Sequence, residues 1–257
     1  MQQYDADGNE IPYIIEKKRT PRRFGRIAGA LILISAAVSI GIAVRILFFS
    51  GTVTIEGRKF FAVYTAETSV ESEASAASES VRNGGGSGYV YNDGTFKVFA
   101  AIYPDEESAS TVASRLTANG TNAGYMVLTV PEIKLKGYDD RTERLRLAET
   151  VYYAYGELYD ELYELSIELD EKRLSEAAAV KLTADYRESA ADRLDYVSER
   201  ISVYTRDATL VKLRNAYIKV TEALSATSAA DKTPPASRVK YAISEIVITM
   251  RSLAEEI

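Results

Sequence analysis

The chain changes its hydrophobic rhythm three times. Eighteen uncharged residues, Ile27–Val44, follow a polar start, and Ile46–Phe49 extends the apolar stretch past Arg45 to 23 positions. At 1.5 Å per residue a helix over 27–49 reaches about 34 Å, enough for about 30 Å of hydrocarbon. Residues 50–57 read as a linker. From there the period becomes two. Lys59–Thr65 is aromatic and β-branched and predicts a strand. Thr68-x-x-Glu71 has the form of a capping box opening a helix through Arg82, which Asn83-Gly84-Gly85-Gly86 ends. Gly88–Tyr91 and Thr95–Tyr103 are predicted strands joined by Asn92-Asp93-Gly94, a hairpin turn. Asp105–Asn119 follows as a helix, then Tyr125–Val130 as a strand, and Pro131 closes the unit. The strand-helix half recurs about 37 residues on, KFFAVYTAE against FKVFAAIYP. A duplicated β-α-β of this kind suits a split sheet with both helices on one face.

Beyond residue 138 the period becomes 3.6, and Gly156 is the last glycine. Asp139–Ala179 predicts one long helix or two, with Leu147, Val151, Ala154, Leu158, Leu162, Leu165 and Leu169 on a stripe and four tyrosines beside it. Three further seams run over Leu182–Tyr204, Leu210–Leu224 and Val239–Ile257. The expected class is therefore α+β: one transmembrane helix, a ferredoxin-like β-α-β-β-α-β domain over 58–131, and an all-α bundle over 138–257 that folds on its own.

Charge sets the orientation. Residues 1–26 carry six basic and four acidic groups, and residues 50–257 carry 24 basic and 33 acidic. Lys17, Lys18, Arg19, Arg22, Arg23 and Arg26 all precede the apolar run, which places the N-terminal tail in the cytoplasm and the bulk of the chain outside the cell membrane. A cleaved signal peptide is the alternative, but its apolar core is shorter and ends at small residues, whereas this run ends in Leu47-Phe48-Phe49-Ser50. The acidic far side argues against nucleic acid. Its charged outer helix faces argue against a second membrane association. With no Cys and no His the usual zinc and thiol chemistries are excluded, and no cofactor or metal is expected.

Phe96–Leu116, FKVFAAIYPDEESASTVASRL, closely resembles the second half of a sporulation-related repeat (SPOR) domain. Lys59–Ala74 resembles the first half more loosely, with Ala62, Val63 and Tyr64 where that family usually carries Gln and then Val-Gly. The resemblance covers some 75 residues. It implies binding of peptidoglycan, notably glycan strands stripped of stem peptides at division or sporulation sites, through the open face of the sheet.

Strand alternation points Phe61, Val63, Val90, Val98 and Ala100 toward the two helices. It leaves Phe60, Ala62, Tyr64, Tyr89, Tyr91, Lys97 and Phe99 on the other face. Phe60, Tyr64, Tyr91, Lys97 and Phe99 are the candidate glycan-binding residues: aromatic rings stack on sugar C–H faces, and Lys97 meets muramic carboxylates. The competing expectation is that the C-terminal helices cover this face and make it core. The function expected is a membrane-tethered, non-enzymatic peptidoglycan binder acting at division or sporulation sites; the alternative is a protein-interaction scaffold that has lost glycan binding, and a glycan hydrolase stands behind both. The hydrolase needs two carboxylates in a pocket, and the acidic run Glu157–Glu168 reads instead as a solvated face.

Overall fold

The computed structural model describes residues 52–136, 141–227 and 233–257. The expectations for the cytoplasmic tail at 1–26 and the apolar span at 27–49 lie outside the described residues. Gly51–Ile257 forms one compact unit.

The period-two region folds into strands β2 (Arg58–Thr68), β3 (Tyr89–Asn92), β4 (Phe96–Tyr103) and β5 (Gly124–Val130), with helices α1 (Glu71–Asn83) and α2 (Glu106–Ala118). Strand order in the sheet is β3-β4-β2-β5, with every neighbouring pair antiparallel. Asp105 caps α2 by accepting from the Ser108 N–H. The capping-box reading of Thr68 is corrected. Its hydroxyl accepts from the Val70 N–H and donates to Glu73, so it organises the turn before α1 rather than the first turn itself. Ser78, on α1, donates to the Gly88 carbonyl, and Gly88 takes a positive φ of 64° where an added Cβ would strike Arg82.

A second, two-stranded sheet pairs β1 (Thr52–Ile55) with β6 (Ile133–Lys136), from Thr52 opposite Lys136 to Ile55 opposite Ile133. Thr52–Ile55 lies in the stretch read as linker, and Ile133–Lys136 lies between the two expected domains. Val53, Ile55, Ile133 and Leu135 are all buried.

One long helix follows: α3 (Arg141–Tyr152), a π-helical turn at Tyr153–Glu157, and α4 (Leu158–Asp170). Then come α5 (Glu176–Val203), α6 (Ala208–Ala226) and α7 (Pro235–Glu256). Ser175 caps α5 and Asp207 caps α6 through their side chains.

The fold class expected from the sequence is corrected. The described chain is mostly helical, with six helices when 141–170 counts as one, and two small sheets. No helix among the described residues is long and apolar enough to cross a membrane. The helical part is also not a bundle sealed on itself. Leu158, Tyr159 and Leu162 are fully buried, and Tyr159 meets Phe60 of the sheet with ring centroids 4.5 Å apart. The physical reason is the second face of the sheet: Phe60, Ala62, Ile102 and Leu128 offer apolar surface, and burying a side chain of this size stabilises by roughly 1.5–3 kcal/mol.

Candidate binding surface

The five residues expected to form a glycan platform divide into four environments. Phe60 is 1% exposed and Phe99 is 0% exposed. Phe60 lies under Tyr159, and the Arg58 guanidinium sits 5.0 Å from the Phe60 ring and 4.9 Å from the Tyr159 ring. Arg58 is held there by Asp160 at 2.6 Å. The Tyr159 hydroxyl donates to the Ile102 carbonyl at 3.3 Å, and the π-turn residue Tyr155 reaches the Val130 and Pro131 carbonyls at 3.3 and 3.4 Å. Burial pushes the Tyr155 phenol up to about 12, so it stays a donor at physiological pH.

At the β3 edge, Tyr89 and Tyr91 both stack on Phe99, at 6.0 and 5.5 Å. Helix α7 closes this side. Tyr241 tilts against Tyr89 at 5.5 Å, Arg251 donates to the Tyr91 hydroxyl at 2.9 Å, and the buried Ser87 and Ser244 hydroxyls bond across 2.8 Å. Glu245 faces Tyr89 here, and burial raises its carboxyl above the ordinary range.

Lys97 lies outside this packing with its ammonium already matched, to Asp93 at 2.7 Å and Glu67 at 3.2 Å. Tyr64 is elsewhere. Register shifts at Val63/Tyr64 and Tyr64/Ala66 break the alternation, and Tyr64 ends beside Gly124, where an added Cβ would sit 2.6 Å from its hydroxyl. There it lines a cleft of about 610 Å³ with Ser110, Ser114 and Thr117 of α2, and with Tyr125. Phe60 thus lies beneath α4, Phe99 and Tyr91 are brought together at the β3 edge beside α7, and Lys97 and Tyr64 stand apart from both. Comparison with protein-family models, curated proteins and solved structures finds no match.

Of the groups that hold the helices on the sheet, sequence reasoning misses Tyr241, Ser244 and Arg251. Tyr159 is visible as part of a tyrosine stripe. Nothing in the local pattern marks Ser244, whose partner is 157 residues away. A polar groove of about 360 Å³ between α3 and α5 is lined by Arg146, Glu149, Asp192 and Arg193, cations and anions together. Among the described residues no group of His, Cys, Asp or Glu is arranged to hold a metal ion.

Proposed function

We propose that this chain is a membrane-anchored, non-enzymatic protein of the bacterial envelope that works as a protein-interaction scaffold, and that the sheet face implied by the SPOR resemblance serves as its internal core rather than as a glycan site. The observation that carries this reading is the burial of Phe60 beneath Tyr159 of α4 and of Phe99 against Tyr89 and Tyr91, which α7 engages through Tyr241 and Arg251. A polysaccharide needs a groove open along its length, and stacking on a ring needs the ring's face. Here those faces are taken by Tyr159, Tyr89 and Tyr91. The neutralised Lys97 also lacks a free charge for a muramic carboxylate.

Two measurements test the proposal. Sedimentation of residues 51–257 with sacculi stripped by amidase should show no pelleting above a control without sacculi. Saturable binding that Phe99→Ala weakens would restore the glycan reading. Anchoring rests on the six basic residues before the apolar run. Protease added to intact spheroplasts should degrade 51–257, and protection until lysis would overturn the anchored topology.

A further inference from the structure

We infer that β5 is an association edge, at which two copies of this chain pair antiparallel about Val127 and join their sheets into one. The inference adds a partner to the scaffold reading above and does not depend on the anchoring.

β5 ends the strand order β3-β4-β2-β5 and pairs with β2 along one side. The other side of such a strand presents a row of unmatched N–H and C=O groups, and folded proteins blunt these edges with charge, proline, bulges, short length or a covering element. β3, at the opposite edge, is four residues long, and its Tyr91 is tied to Arg251 of α7. β5 is different. Its sequence GYMVLTV runs seven residues without a charge or a proline, and its pairing to β2 runs from Gly124 to Val130 without a bulge. Leu128 and Val130 are buried on one face, while Tyr125, Val127 and Thr129 are exposed on the other, with Val127 at 47%. Phe61 of β2 lies beside Val127 in the same rung. A strand with an uncharged edge and an apolar outer face fits another extended backbone.

Charge selects a second copy as that backbone. Pairing about Val127 sets Tyr125 opposite Thr129 of the second copy and Val127 opposite its own equivalent. A two-fold axis normal to the sheet keeps the exposed faces of both strands on one side, with the two Val127 Cβ atoms about 4.5–5.5 Å apart. No like charges meet across the rungs, because the strand has none. Thr129 is also opposite Lys59 on β2, which is exposed on the same face. Two strand spacings then put Lys59 of one copy about 10 Å from Tyr125 of the other, within reach of two long side chains. The Tyr125 hydroxyl donates to Glu106 at 2.8 Å. Each copy thus brings a lysine toward the tyrosine–glutamate pair of the other, and the axis makes the match twice. Pairing consumes β5 on both sides, so the contact closes at a dimer with a continuous eight-stranded sheet.

The chain contains no Cys, so an introduced thiol is unique. Full-length Val127→Cys, purified in detergent, is treated with a short bismaleimide. Val203→Cys, at the end of α5 where the side chain is 64% exposed, serves as the control. Val127→Cys should yield covalent dimer several-fold above Val203→Cys. The register has its own readout. Tyr125→Cys mixed with Thr129→Cys should cross-link several-fold more than either variant alone, because position 125 opposes position 129 rather than itself. Equal dimer yields from Val127→Cys and Val203→Cys would overturn the inference, and so would a mixture that cross-links no better than its components. Neither result bears on sedimentation with sacculi or on protease access, so failure of the β5 contact is distinguishable from failure of the function proposed above.

Discussion

The residues that matter most are rings without access to solvent. Phe60 fills the space between β2 and α4, with Tyr159 on one side and Arg58 beside both. Phe60→Ala should cost about 3–5 kcal/mol in chemical denaturation of residues 51–257, the range for an emptied core aromatic site. A loss under about 1 kcal/mol would place Phe60 at an open surface after all. Glu245 tests the α7 side. Burial raises its carboxyl, against Lys219 and bonds from Tyr89 and Thr249, while Glu222 and Tyr241 also face it. A carboxyl with a raised folded pKa binds its proton more tightly when folded. Its stabilising effect is thus complete below the ordinary value of 4.5 and is lost as pH climbs through the folded value. Glu245→Gln should therefore raise the Tm at pH 7 and leave it unchanged near pH 4, and the reverse pattern in thermal melts would contradict this account. Gly124 sets a third test. Gly124→Ala meets the Tyr64 ring and should cost about 1–3 kcal/mol, with most of the cost removed in a Tyr64→Ala background.

At the scale of elements, the predicted strands and helices of 58–131 stand where periodicity sets them, α2 on Asp105–Asn119 and β5 on Tyr125–Val130 within a residue, while β2 runs three residues past the expected Lys59–Thr65 to Thr68. The Asn92-Asp93-Gly94 turn forms with Gly94 at a φ of 112°. What escapes is everything that depends on distant pairing. β1 and β6 are four residues each and separated by some 80 positions, too short for a periodic signal of their own. The side assigned to Tyr64 fails because alternation carries no trace of a register shift. The helical stripes are legible as stripes, but a stripe does not say what it packs against, and Tyr159 faces a sheet rather than another helix. The π turn is not visible either. It keeps Tyr155 and Tyr159 both pointed at backbone carbonyls of the sheet. Within it, Gly156 has room for a methyl group, whose nearest neighbour would be the Tyr152 ring at 3.8 Å. Gly156→Ala should stabilise by up to about 1 kcal/mol by urea denaturation.

For the whole molecule, the sheet and its helical cover are parts of one core. Sequence periodicity alone suggests an independent helical domain at 138–257. The contacts predict otherwise. A fragment of 138–257 would expose Leu158, Tyr159 and Leu162, and a fragment of 58–131 would expose Phe60, Phe99 and Leu128. Neither should melt cooperatively by circular dichroism, and mixing the two should restore a cooperative transition. A sharp melt of 138–257 alone would show that the helices are sealed without the sheet.

The β1–β6 ribbon carries a mechanical consequence for an anchored protein. In the anchored protein proposed above, tension from the membrane would reach the described fold at Thr52, and β1 would be the first element to feel it. Pulled along its own axis, β1 is loaded in shear, so its rungs from Thr52–Lys136 to Ile55–Ile133 resist together rather than opening one by one. With Val53, Ile55, Ile133 and Leu135 all buried, the ribbon of an anchored chain would act as a clasp that keeps such tension from reaching the sheet and its aromatic core.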